Sequence, residues 1–182
     1  MKYFKKILGE NVYLSPYNPE DVAIFTKWMN DRAVTDGLGD SAAQFNLLNE
    51  KKWMEDILNN NEIAYSIVLN NGDILIGSIG LFEIKQIHGT ATVGLYIGEV
   101  ENRGKGYGTE AMKLLVGHAF GVLNLRNIML TVFDFNENAY KSYIKVGFKE
   151  FGRRKKAYYL NNQYYDTIFM EITREDWYNK EH

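Results

Sequence analysis

Hydrophobic positions in the N-terminal third form two helical stripes behind one short strand. Val12-Tyr13-Leu14 reads as that strand. Asn18-Pro19-Glu20-Asp21 has the makings of a helix start, with an Asn to cap, a Pro at the first helical position and acids in the first turn. Val22, Phe25, Trp28 and Met29 follow at helical spacing. Trp53, Met54, Ile57 and Leu58 mark a second helix, stopped by Asn59-Asn60-Asn61. The polar stretch between the two, residues 32–48, has little periodicity and is expected to be a mobile loop.

From Ile63 the pattern changes to that of strands. Residues 65–69 and 74–82 flank Asn70-Asn71-Gly72-Asp73, a hairpin signal because Asn and Gly tolerate positive φ. A turn at His88-Gly89 leads into a strand over 90–97. A helix over 107–122 carries the stripe Ala111, Met112, Leu115, Val116, Ala119 and Phe120. A strand over 128–133 and a helix over 137–146, closed by Gly147, come next. Strands over 148–154 and 164–172 bracket Asn161-Asn162, and Thr173 with Asp176 caps a last helical turn. The order predicts an α/β (α+β) protein: a single mixed, mostly antiparallel central sheet flanked by helices. No linker or repeat interrupts it, so residues 1–182 are expected to form one domain.

Composition narrows the function classes. The 182 residues are 46% hydrophobic, enough for a real core. With 21 Lys+Arg against 23 Asp+Glu the chain lacks the cationic surplus that phosphate backbones require, so no nucleic acid is expected as partner. The absence of Cys excludes disulfide scaffolds and thiolate metal sites, and His88, His118 and His182 show no zinc-ligand spacing. No metal is expected. No apolar run approaches the ~20 residues that span a bilayer. Met1-Lys2-Tyr3-Phe4-Lys5-Lys6 lacks a signal-peptide stretch, so the expectation is a cytoplasmic protein away from the membrane.

Arg103-Gly104-Lys105-Gly106-Tyr107-Gly108-Thr109, between a strand and a helix, is the segment that carries chemistry. Glycines let a ligand approach the backbone, and a helix N-terminus offers unpaired N–H donors to an anion. Arg103 and Lys105 add cationic charge. A Walker A loop needs Gly-Lys-Ser/Thr at its end, and a dinucleotide fold needs a preceding parallel pair; neither is present. The spacing Arg-x-x-Gly-x-Gly instead resembles the acetyl-CoA loop of the GCN5-related N-acetyltransferases, the GNAT superfamily. Further on, Asn136-Glu137-Asn138-Ala139-Tyr140-Lys141-Ser142-Tyr143-Ile144-Lys145-Val146-Gly147-Phe148 is similar to that superfamily's N-x-x-A-x-x-x-Y-x-x-x-G-F signature. Thr109-Glu110-Ala111 and Leu123-Asn124-Leu125 resemble the branch of ribosomal-protein and spermidine acetyltransferases.

The resemblance implies a transfer of acetyl from acetyl-CoA to a primary amine in a ternary complex: a protein N-terminus, a polyamine or another small amine. The alternative it leaves open is a CoA-binding sensor on the same fold. It implies that main-chain N–H groups from Arg103, Gly104, Lys105, Gly106, Tyr107, Gly108 and Thr109 hold the diphosphate. A main-chain N–H at Ile97, Gly98 or Glu99, at the end of the fourth strand, would polarise the thioester. Tyr143 would protonate the departing thiolate, with Asn136 contacting the cofactor or capping its helix. Glu83 is the expected base, directly or through water, with Glu99 a second choice. Asp31, Asp36, Asp40, Glu50, Glu55 and Asp56 lie where the superfamily receives its acceptor, and Asp166 lies near its penultimate strand. A homodimer is expected from family habit.

Overall fold

Two antiparallel half-sheets share one short parallel seam, and that seam positions everything functional. The computed structural model describes residues 2–59 and 62–180; Asn60 and Asn61 of the expected helix stop, and His182, lie outside them. Strands β1 (Ile7–Leu8), β2 (Val12–Pro16), β3 (Ile63–Leu69), β4 (Leu75–Lys85), β5 (Thr90–Ile97), β6 (Asn127–Phe133), β7 (Lys149–Leu160) and β8 (Gln163–Thr173) form one sheet. Their order is β1-β2-β3-β4-β5-β6-β8-β7. All neighbours are antiparallel except β5 and β6.

β5 and β6 pair only through Thr90↔Asn127, Ala91↔Ile128 and Thr92↔Met129. Beyond these, β5 keeps to β4 as far as Gly77↔Ile97, and β6 keeps to β8 as far as Phe133↔Thr167. The sheet therefore splits at the carboxyl ends of its two central strands.

Helices cover both faces. On one lies α4 (Tyr107–Gly121), with all six residues of its predicted stripe buried, beside α5 (Glu137–Val146). On the other lie α1 (Val22–Met29), α2 (Arg32–Leu38) and α3 (Leu47–Asn59), which bury Phe25, Trp28, Val34, Met54 and Ile57 against Tyr13, Ala64 and Val68. α6 (Arg174–Lys180) starts on a reciprocal Thr173–Asp176 cap, as the sequence predicts. Both predicted hairpins form. Gly72 and Asp73 take positive φ in one turn, Asn161 and Asn162 in the other.

Residues 32–48 are not one loop. Asp31 accepts from the Ala33 N–H at 2.8 Å and Gly39 closes the last turn at φ 89°, so α2 forms between two good caps. Its inward face is only Val34 and Thr35, too short a stripe to register as periodicity. α3 also begins earlier than its apolar residues suggest, where Asn46 accepts from the Asn49 N–H.

Candidate active site

The turn into α4 exposes backbone. Gly104 and Gly106 adopt φ of 73° and 89°, and a Cβ on either would meet nothing within 4 Å. The N–H groups of Gly104, Lys105 and Gly106 find no backbone acceptor among the described residues. Those of Tyr107, Gly108 and Thr109 belong to the first helical turn, where no intrahelical partner exists. An anion fits this bare, donor-rich concavity.

Arg103 behaves differently. Its own N–H donates to Val100 O at 3.0 Å, so it is not free for a ligand. Its guanidinium donates to three carbonyls: Ile97 at 3.0 Å, Gly98 at 2.7 Å and Ala33 at 2.9 Å. It ties the loop and α2 to the end of β5. Gly108 also differs from its companions, because a Cβ there would sit 3.3 Å from Leu95 Cδ1 and 3.7 Å from Ile97 Cγ1. It lets α4 close on the sheet.

At the end of β5, Gly98 donates its N–H to Ile76 O at 2.9 Å. Successive residues of an antiparallel strand point their backbone groups to alternate sides, so the Ile97 N–H turns away from β4 and into the split. Gly98 has a steric role, since a Cβ would lie 2.1 Å from Trp28 Cε2. The Glu99 carboxylate meets Lys27 at 2.5 Å and accepts from Trp28 Nε1 at 3.0 Å. Lys27 first, then the indole, holds its carboxyl below the usual range, which makes it a poor base.

On α5, Asn136 caps the helix, accepting from the Ala139 N–H at 3.3 Å. Tyr143 stands edge-on to Phe148 with ring centroids 6.1 Å apart, half-buried against the main core. Burial pushes its phenol up to about 12. Beside it, Ser142 shares a 2.7 Å hydrogen bond with Thr109, joining the Tyr143 helix to the glycine turn. Sequence reading missed Ser142, although it is the one small hydroxyl next to the signature Tyr.

Glu83 lies elsewhere. It sits at a bulge with φ 50° and accepts from Thr92 Oγ1 at 3.1 Å. Thr92 is the last paired residue of the seam, five positions before Ile97 and roughly 17 Å from it along an extended strand. Register therefore carries Glu83 to the closed end of the split.

Of the acids expected near the acceptor, Asp31 is a helix cap, Asp36 pairs with Arg32, Glu55 pairs with Lys51 and Asp56 is exposed. Burial raises the pKa of Asp40 and of Glu50. Asp166 is bound by Lys155, the Lys156 N–H and Arg153. His88 sits in a turn, and burial lowers the pKa of His118 on α4. No group of three or more His, Cys, Asp and Glu able to hold a metal occurs among the described residues.

A family model described as acetyltransferase (GNAT) domain matches residues 11–149, most of the chain. The chain belongs to the GNAT acetyltransferase family. This GNAT enzyme is 28% identical over 170 residues to the SPbeta prophage-derived uncharacterized N-acetyltransferase YokL of Bacillus subtilis (strain 168), covering 93% of each chain. It is 37% identical over 101 residues to spermidine N(1)-acetyltransferase of Escherichia coli (strain K12), which is 56% of this chain and 54% of that one. Among solved structures, spermidine N-acetyltransferase from Vibrio cholerae in complex with CoA and spermine superposes with a TM-score of 0.85 at 23% identity, over 94% of this chain and 100% of that one. A GNAT acetyltransferase from Bacillus anthracis gives 0.79 at 21%, over 93% and 98%. These last two likenesses concern the fold. The GNAT enzyme is an N-acetyltransferase with acetyl-CoA as co-substrate, and the bare turn at Gly104 and Gly106 fits its diphosphate.

Proposed function

We propose that residues 1–182 act as one domain that moves acetyl from acetyl-CoA onto a primary amine by direct attack in a ternary complex. The observation that carries this reading is the unpaired N–H cradle of residues 104–109, hydrogen-bonded through Thr109 to the helix that holds Tyr143. Bound acetyl-CoA supplies an activated thioester. The N–H groups after Arg103 grip its diphosphate. The Ile97 N–H, turned into the split, donates to the thioester oxygen as charge builds on it.

The neutral amine nitrogen attacks the carbonyl carbon, the C–N bond forms and the C–S bond breaks. Tyr143 then offers its O–H to the departing sulfur. A phenol raised to about 12 would be a weak acid towards an ordinary thiolate near ~8.5. The burial that raises the phenol raises a thiolate beside it as well, which narrows the gap. Glu99 is neutralised by Lys27 and Glu83 lies at the closed end, so the proton lost by the amine passes to water, and the Tyr143 phenolate takes a proton back from water.

Calorimetry with CoA and a thiol-release assay test the reading. Tyr143→Phe is expected to slow transfer by about 10²-fold while CoA affinity is kept. Absence of heat with CoA in the wild type, or full turnover by the variant at saturation, overturns it.

A cytoplasmic location is part of the proposal; with no Cys the chain needs no oxidising compartment. No helix among the described residues is long and apolar enough to cross a membrane. A homodimer is the expected assembly, supported by the exposed aromatics Phe151, Tyr159 and Tyr164 of the β7–β8 hairpin.

A further inference from the structure

The free end of β5 is gripped from three sides. Towards β4, the Gly98 N–H donates to Ile76 O at 2.9 Å. Towards the split, the Ile97 C=O accepts from Arg103 Nε at 3.0 Å. An extended residue points its C=O and N–H the same way, so the Ile97 N–H lies beside that bond. No neighbouring strand fixes its direction, because β6 last pairs with β5 at Thr92.

The third grip comes from α1. A Cβ on Gly98 would lie 2.1 Å from Trp28 Cε2 and 2.5 Å from Trp28 Nε1, so the indole fills the space a side chain would need there. Trp28 is only 1% exposed, and the Phe25 and Tyr96 rings meet it edge-on with centroids at 5.7 and 6.2 Å. Its Nε1 donates to Glu99 Oε1 at 3.0 Å, and Lys27 pairs with the same oxygen. The ring under Gly98 is therefore bonded to the next residue along. The strand end cannot sink, because it rests on the indole, and cannot lift without breaking the Glu99 bond. Apolar contact alone has no direction and would let the end slide; a hydrogen bond does not.

Such a clamp matters most to an N–H that must meet a developing charge. Stabilising a thioester oxygen depends on a donor aimed before the charge appears, and a small misplacement is costly. The clamp also gives Glu99 a role other than that of a base. Its carboxylate is spent on Lys27 and the indole and acts through them.

We propose that Trp28 and Glu99 are positioning residues: the indole wedged under Gly98 and tied to Glu99 aims the Ile97 N–H at the acetyl carbonyl. Its value to catalysis rests on the transferase reading above; the aim of the N–H does not. The test is isotope-edited infrared spectroscopy of the acetyl C=O of bound acetyl-CoA, with no amine present. A well-aimed donor weakens that bond and lowers its stretch. The frequency is expected lowest in wild type and in Glu99→Gln, whose amide oxygen still accepts from the indole. It is expected to rise in Glu99→Leu and in Trp28→Phe, which both lose that bond.

In thiol release with spermidine, E99L should lower kcat about tenfold with both KM values kept, and E99Q should recover most of the loss. Glu99 is part-exposed and its ion pair is worth little to the fold, so E99L should melt close to wild type and bind CoA within about twofold of it. Trp28→Phe empties core volume and is expected to melt lower; adding E99L to it should leave the stretch where W28F alone puts it. Equal frequencies in wild type and E99L overturn the proposal. So does an E99Q that keeps the wild-type stretch yet loses turnover, because the carboxylate would then be a base. A stretch that depends on Glu99 in a protein that releases no thiol would uphold the clamp and sink the transferase reading.

Discussion

At the scale of single residues, environment decides more than residue type. Tyr143 and Tyr17 both have phenols pushed to about 12 by burial, against ~10 in an unfolded chain. Below pH ~10 both are protonated in either state and add nothing to pH dependence. As pH climbs from there towards about 12 the unfolded chain releases its protons first, so stability present at neutral pH is lost by about 1–3 kcal/mol per group. Tyr143→Phe should match wild type at neutral pH and keep more of its Tm in alkali, checked by thermal melts across that range. For activity, the same phenol stays a donor throughout, so kcat/KM should rise as the amine deprotonates and show no descending limb below about pH 10. A descending limb near pH 8–9 would remove Tyr143 from the acid role.

The glycines give a second residue-scale contrast. Gly106→Val should weaken CoA binding with little loss of Tm beyond the strain at φ 89°. Gly108→Val should lower Tm through contact with Leu95 and Ile97, as thermal melts beside calorimetry would show. The cradle was legible in sequence because positive φ and bare backbone are written directly into Gly spacing. Glu83 was not, because which end of a strand borders the split depends on a register that sequence does not specify.

Elements are where sequence reading and structure part most clearly. A cation beside an anion site reads as a ligand contact, yet the Arg103 side chain is consumed by the carbonyls of Ile97, Gly98 and Ala33. Those bonds join the end of β5, the glycine turn and α2, an element whose brief apolar face hid it in a polar stretch. Three acceptors converging from different elements require the planar guanidinium fork. Arg103→Ala should therefore cost roughly 1–3 kcal/mol of stability and weaken CoA binding indirectly. Arg103→Lys decides between the two roles. If the charge served the diphosphate, Lys would preserve affinity; because geometry is what matters, Lys should behave nearly as badly as Ala in both melts and calorimetry. Longer elements had no such ambiguity: α4 carries full turns of pattern, α5 adds the Asn136 cap and the Gly147 stop, and both fold where the pattern puts them.

For the whole molecule, the succession of elements and the α/β class followed from the periods, while the order of strands in the sheet and the split did not. The split comes from β6 leaving β5 after Met129 to follow β8, a competition between partners that no single strand records. The same hairpin that draws β6 away ends the sheet in β7, a free edge of 12 residues. Edge strands invite pairing, and this one carries Arg153-Arg154-Lys155-Lys156, with a register shift between Arg154 and Tyr158, features that discourage strand-to-strand addition. Self-association must then use side chains rather than the open backbone. Tyr159 and Tyr164 pair across the hairpin at 5.0 Å with more than half of each exposed, and Phe151, equally exposed, leans on Phe169 at 6.1 Å. Exposed aromatics of this kind, Phe151 at one end of the hairpin and Tyr159 with Tyr164 at the other, are surfaces a second copy covers. Sedimentation velocity should find the wild type dimeric or larger. Phe151→Glu with Tyr164→Glu should shift it to monomer while leaving the CoA affinity of the glycine turn unchanged, and a wild type that sediments as a monomer at micromolar concentration would rule this surface out.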